Sequence, residues 1–214
     1  MPTDNHRLPP NPQPDGASDA ELMRRLQGSD DFALNLLMDR WKNRLIAFTY
    51  RYVGNESDAL DLAQETFVHV FEKRDYYREK GAFSSWLFGI AANLCRNFLR
   101  WKSRHPAVNA SALGGGGGRT RGDGADDPPG GLESFESGED TPLDAATNHE
   151  RADAVRREIH ALPHDLKTVI LLFEYDDLSY EEIAAVLSCS KKAVETRLYR
   201  ARAILRKSLA SLLD

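Results

Sequence analysis

Ten of the chain's fifteen glycines fall between residues 103 and 148, five of them in an unbroken run from Gly114 to Gly118. No packed element tolerates that density, because each glycine inside a helix or strand costs about 0.5–1 kcal/mol relative to alanine. The stretch reads as a linker, and its 8 acids against 3 bases make it an acidic one. What folds must lie on either side. The predicted organisation is a proline-rich disordered tail over 1–18, a helical module over 19–105, the flexible linker over 106–147, and a second helical module over 148–214. A phosphate-binding loop is excluded, since the glycine run leads into Arg119-Thr120-Arg121-Gly122 with no Gly-Lys-Ser/Thr and no strand before it. No strand pattern appears elsewhere, so the fold class expected is all-α, without the βαβ unit of most nucleotide enzymes.

The formal charge of −5 over 214 residues argues against nucleic acid only while it is averaged. Residues 19–102 carry 13 bases and 12 acids and residues 149–214 carry 11 of each, so the deficit belongs to the linker and tail. Between Ser188 and Lys207 there are seven bases and one acid, a local +6. The longest apolar stretch, Val169 to Phe173, is far below the ~18 residues of a membrane span, and a cytoplasmic protein is expected. Cys95 and Cys189 lie in no CxxC and near no histidine at ligand spacing. No metal, no cofactor and no catalytic set is expected.

The second module contains helix-turn-helix spacing. Helices are predicted over 148–162, ended by Pro163, and over 165–174, with Leu166, Val169, Ile170 and Phe173 inward. Ser179-Tyr180-Glu181-Glu182 is a capping box, so another helix starts there. After the turn Ser188-Cys189-Ser190, Ser190 caps a longer helix with Val194, Leu198, Ala201, Leu205 and Leu209 inward. Lys191, Lys192, Glu195, Thr196, Tyr199 and Arg200 are left outward, and bases on the first turns of such a helix suit a major groove.

The first module is predicted to hold helices over 19–27, 30–53, 56–76 and 84–105. On the third, Asp58, Asp61 and Glu65 form an acidic stripe beside Leu62, Phe67, Val70 and Phe71, suited to a partner or to solvent rather than to catalysis. On the fourth, the expected inward stripe is Leu87, Ile90, Leu94 and Phe98. Asn93, Arg96, Asn97, Arg100 and Arg104 form an amide and guanidinium face. The loop before it, from Tyr76 and Tyr77 through Arg78 and Lys80 to Ser84 and Trp86, mixes aromatics with bases. That mixture suits unstacked single-stranded bases, with Tyr76 and Tyr77 as platforms and Phe83 and Trp86 in the core.

The block from Asp58 to Phe67, Asp-Ala-Leu-Asp-Leu-Ala-Gln-Glu-Thr-Phe, and the block Phe83-Ser-Ser-Trp-Leu-Phe-Gly-Ile-Ala-Ala-Asn-Leu-Cys95 resemble region 2 of bacterial RNA polymerase sigma factors. Leu178-Ser-Tyr-Glu-Glu-Ile-Ala184 and Thr196-Arg-Leu-Tyr-Arg-Ala-Arg202 resemble region 4. With only a linker between, the chain resembles the extracytoplasmic-function (ECF) sigma factors. The resemblance implies an alternative sigma factor that binds core polymerase and directs promoter-specific initiation, with an anti-sigma factor as a further possible partner and no membrane insertion. It implies polymerase contact through Asp58, Asp61, Leu62, Gln64 and Glu65. It implies minus-ten contact and melting through Tyr76, Tyr77, Arg78, Lys80, Ser84, Asn93, Arg96, Asn97 and Arg100. Reading of the minus-thirty-five element would fall to Lys191, Lys192, Glu195, Thr196, Arg197, Tyr199 and Arg200. The residues alone leave open a free-standing helix-turn-helix regulator, which would need only the second module and no polymerase.

Overall fold

The structure is a computed structural model that describes residues 16–79, 81–105 and 142–210, and the expectations for the tail up to residue 15, for Lys80 and for residues 106–141 of the linker lie outside it. Among the described residues the regular elements are all helical, as expected. They run α1 (Asp19–Gln27), α2 (Phe32–Val53), α3 (Glu56–Glu72), a 3₁₀ turn (Arg74–Tyr76), α4 (Phe83–Arg104), α5 (Pro142–Ala161), α6 (His164–Glu174), α7 (Tyr180–Val186) and α8 (Lys191–Ser208).

Local chemistry sets the ends of these helices. The Ser18 side chain accepts from the Glu21 amide, and Asn55 accepts from the Asp58 amide. The Ser179–Glu182 capping box forms in both directions, and Ser190 accepts from the Ala193 amide. Gly54 ends α2 at φ +75°, in the left-handed region that favours glycine. Two boundaries differ by more than two residues from the sequence expectation. The third helix stops at Glu72, because the chain turns to bring the Arg74 and Tyr77 carbonyls to the Gln27 side-chain amide at 2.8 and 3.3 Å. α5 starts at Pro142, at a position where a proline's missing N–H is not needed.

The first module closes around aromatic side chains. Phe88 meets Phe48 at 5.1 Å and Trp41 at 6.1 Å between ring centroids, both in T-shaped geometry. This clustering turns α4 relative to the expected stripe. Phe83, Leu87, Phe88, Ala91 and Cys95 are buried, while Ile90, Leu94 and Phe98 are only partly covered. Buried Arg40 ties α1 down, its guanidinium donating to the Asp19 carboxylate at 2.5 Å and to the Ala17 carbonyl at 3.0 Å.

The two modules are packed against each other through α6. Six consecutive residues of this helix, Lys167 to Leu172, are buried, which one apolar stripe cannot produce. One side packs on α8 and another on α2, and a single hydrophobic cluster runs through both modules. The expected stripe on this helix is therefore widened, with Leu166 and Phe173 only partly covered.

The seam between the modules is polar at its edges. The Tyr52 hydroxyl hydrogen-bonds with Nδ1 of His164 and lies 3.4 Å from the Thr168 hydroxyl. Arg44 donates to the Asp176 carbonyl at 2.7 Å, and the Arg51 guanidinium lies 4.4 Å from the centre of the Tyr175 ring. The His160 ring sits over Gly54, where a Cβ would come within 2.9 Å of it. Burial pushes the Asp176 carboxyl up to about 7 despite Arg44 and Arg51 pulling it down. Burial, together with the nearby Lys167 ammonium, holds His160 and His164 below their ordinary value.

Two outcomes follow from this packing. Phe88→Ala should cost about 3–5 kcal/mol in a urea melt, as expected for emptying a filled aromatic site. A carboxyl raised in the folded state stabilises that state while protonated, so the Asp176 contribution is present in acid and is lost as pH rises through about 7. Histidines with lowered values act oppositely: their contribution is present above their ordinary ~6.5 and is lost as pH falls through the folded-state value. Between the ordinary carboxylate value and about 7 the folded chain holds a proton that the unfolded chain has shed, so the Asp176 contribution falls across that window and is flat above it. The histidines are common to both chains, so in paired urea melts the stability of the native chain relative to Asp176→Asn should fall between about pH 4 and 7 and stay constant from there to pH 8.5.

Candidate nucleic-acid interface

On α3 the outward face is Asp61, Gln64 and Glu65, all exposed, flanked by Leu60 and Val68, which are 38 % and 54 % exposed. Neither apolar residue was among the contact residues expected from sequence, although their i, i+8 spacing around Gln64 places them on one line of the helix. Leu62 is corrected: it is buried in the core against the aromatic cluster and is not available to a partner here. Asp58 accepts from Lys102 on α4 at 2.8 Å, which partly neutralises the top of the acidic stripe.

A groove of about 630 Å³ runs along α4 and the turn before it. Lys73 and Arg78 bring cations to it, His69 brings an imidazole, Asn93 and Asn97 bring amides, and Trp86 brings a ring. Ser85, also in its wall, is buried with its hydroxyl unpartnered. His69, Lys73, Ser85 and Trp86 were not among the residues expected from sequence, because they meet only once α3 and α4 pack. Such a lining can read base edges, stack a ring and neutralise phosphate. One wall comes from Ala185 and Val186 at the end of α7, so the second module covers part of the groove in this arrangement.

Around the groove the expected residues divide. Asn93, Arg96, Asn97 and Arg100 are exposed on one face of α4, and Tyr76 is an open ring at 77 % exposure. Tyr77 is corrected: its ring is buried, packed on Trp86 and Phe83 at centroid distances of 5.3 and 6.1 Å, so it belongs to the core rather than to a base platform. Arg78 folds back, donating to the Asp75 carbonyl at 2.7 Å. The Ser84 hydroxyl donates to the Glu182 carboxylate of the second module at 3.3 Å.

On α8 the core stripe is Val194, Leu198 and Ala201. Several bases of this helix have carboxylate partners. Lys191 pairs with Glu181, Lys192 with Glu195 at 2.8 Å, and Arg202 with Glu174 at 2.7 Å. Arg197 leans back to Asp165 at 3.1 Å and to the Cys189 sulfur at 3.3 Å, which gives it a bracing position instead of an outward one. The open residues of the face are Thr196, Tyr199 at 76 % exposure, and Arg200. Exposed ion pairs of this kind are worth ~0–1 kcal/mol and yield readily to a phosphate. Among the described residues there is no cluster able to hold a metal ion, and no helix is long and apolar enough to cross a membrane.

Comparison with known proteins matches this division. The family description "Sigma-70 region 2" covers residues 37–105, and "Sigma-70, region 4" covers residues 152–205. The chain is 33 % identical over 201 residues to the ECF RNA polymerase sigma-E factor of Haemophilus influenzae, across 92 % of this chain and 97 % of that one. It is 34 % identical over 191 residues to the sigma-E factor of Escherichia coli K12, across 86 % and 91 %. Among solved structures, CnrH in complex with the cytosolic domain of CnrY matches at TM-score 0.63 and 25 % identity, covering 91 % of this chain and 99 % of that one. The sigma factor RpoE from Bartonella quintana, solved with the anti-sigma factor NepR, shares the fold at TM-score 0.53 and 23 % identity, over 84 % and 97 %. With both regions matched in order and near-complete relatives at this identity, the chain belongs to the ECF family of RNA polymerase sigma factors.

Proposed function

We propose that the faces of this sigma factor divide the work of initiation among them. The chain is an alternative sigma factor, not an enzyme: it binds core polymerase and directs promoter-specific initiation. Asp61, Gln64 and Glu65, with Leu60 and Val68, take the polymerase contact; the acids steer and the apolar pair supplies buried area. Asn93, Asn97, Arg96, Arg100 and Tyr76 take the opened minus-ten strand along the groove of α4. Thr196, Tyr199 and Arg200, joined by Lys191 and Lys192 once their carboxylates are displaced, read the minus-thirty-five duplex. Work with polymerase places the chain in the cytoplasm. The domain roles follow: region 2 over 19–105 and region 4 over the second module, whose first helix starts at Pro142, inside the stretch expected as linker over 106–147. A regulatory protein partner is expected as well, since CnrH was solved in complex with the cytosolic domain of CnrY.

The observation that carries this reading is that one module exposes two chemically opposite faces, acidic on α3 and amide-guanidinium on α4, beside a capped helix-turn-helix. A stand-alone duplex reader has no use for the first two. In the packed arrangement α7 walls the minus-ten groove and Ser84 is held by Glu182, so promoter binding requires the modules to part. Tethering keeps the parted modules at high mutual concentration, which couples the two DNA contacts.

In a reconstituted assay, the chain plus core polymerase should transcribe from its promoter, and neither alone should. Asp61→Arg should weaken capture by core polymerase at least tenfold. Asn93→Ala should keep that capture and lose strand opening, read by permanganate reactivity. An equal footprint with and without polymerase would overturn the reading.

A further inference from the structure

A second groove, of about 370 Å³, opens at the seam between the modules, away from the one that serves the minus-ten face. Arg96 and Arg100 of α4 line it from one side, and His160, His164 and Lys167 of α5 and α6 from the other. No acid lines it. Asp165, the carboxylate beside His164, is engaged by Arg197 at 3.1 Å and lies 4.0 Å from His164 Nε2.

Lys167 is the telling residue. The residue is only 4 % exposed, yet among the described residues no carboxylate pairs with its ammonium, which lies 5.2 Å from the centre of the Tyr52 ring. Lysines are almost never buried without an anionic partner. The neighbouring Cys95 thiol does not serve as one, because burial pushes it up to about 12 and keeps it neutral. The charges are also mutually hostile: Lys167 and Arg96 both help to hold His164 below its ordinary value. Among the described residues, packing thus gathers five nitrogen-bearing side chains with no carboxylate in the lining, an arrangement whose electrostatic cost a bound anion would remove.

We propose that this seam is a binding site for a diphosphate group. Two guanidiniums offer forked donors to phosphate oxygens, the Lys167 ammonium adds a compact charge from the opposite wall, and the histidines extend the donor set. A carboxylate has two oxygens and one charge for this array; a diphosphate has oxygens on every side and several charges. Leu99 and Leu162 border the groove and give an apolar surface to whatever the diphosphate carries. Both modules supply donors, so the site exists only while they are packed together, and its occupation favours that state by mass action. Arg96 and Arg100 are shared with the proposed minus-ten face, so a bound diphosphate withdraws them from promoter DNA.

The test uses the full chain without polymerase or DNA, so its outcome is independent of the promoter reading. Inorganic pyrophosphate, titrated calorimetrically at constant ionic strength, should bind saturably and raise the thermal midpoint, while sulfate at equal charge should do neither. Lys167→Gln should raise the midpoint of the free chain by removing a buried unpaired charge, yet weaken pyrophosphate at least tenfold. Those two effects run in opposite directions, which a merely damaged fold would not give. Adenosine diphosphate as a parallel ligand separates the sources: affinity above that of pyrophosphate assigns a nucleotide, and equal affinity assigns the free anion. Pyrophosphate binding unchanged by Lys167→Gln, or no stronger than sulfate, overturns the site.

Discussion

Burial of α6 on two sides is the constraint from which the remaining arrangement follows. A helix with six consecutive covered residues needs a neighbour on each flank, and α8 supplies only one. The other must come from α2, which brings the Tyr52 hydroxyl to His164, sets His160 over Gly54 and buries Asp176 beside Arg44. Closure therefore joins an apolar middle, which is stable but unspecific, to a polar border that fixes register. The border contains groups whose charged forms are disfavoured by burial, so the join is firm without being irreversible.

That balance suits a protein whose binding faces are in competition with its own packing. The groove on α4 carries amides, rings and cations, and part of its wall is the end of α7. Each module alone neutralises few phosphates, so affinity for a promoter has to come from joining contacts rather than from any one of them. The acidic linker leaves the mean charge negative, and the bases of α8 are held by Glu181, Glu195 and Glu174 until something more strongly charged replaces these partners.

Much of this was legible in the sequence wherever chemistry is local. Ser179 with Glu182, Ser190 and Gly54 placed helix ends to within a residue or two, and the periodicity of Val194, Leu198 and Ala201 gave the inward face of α8. Features that depend on a neighbour were not legible. The helical period marks an apolar side only to within about one position, so α4 was read one step off until Trp41 and Phe48 were seen to draw in Phe88. Tyr77 carries a hydroxyl and sits in a basic loop, which suggests exposure; the rings of Phe83 and Trp86 decide otherwise. Ion pairs such as Arg197 with Asp165 join residues 32 apart in sequence and cannot be seen along a helix. The run from Val169 to Phe173 was read as a one-sided stripe and as too short for a membrane, although its continuity was the sign of two-sided burial.

The two cysteines give this closure a clock. Cys95 lies wholly covered beneath Tyr52 and Lys167, and its thiol is pushed up to about 12, so it is inert to alkylating agents as long as the seam is shut. Cys189 sits in the turn before α8 and is partly open throughout. The chain thus carries a protected thiol and a reference thiol in one molecule, and the ratio of their labelling rates measures how often the modules breathe apart, with no probe added to either face.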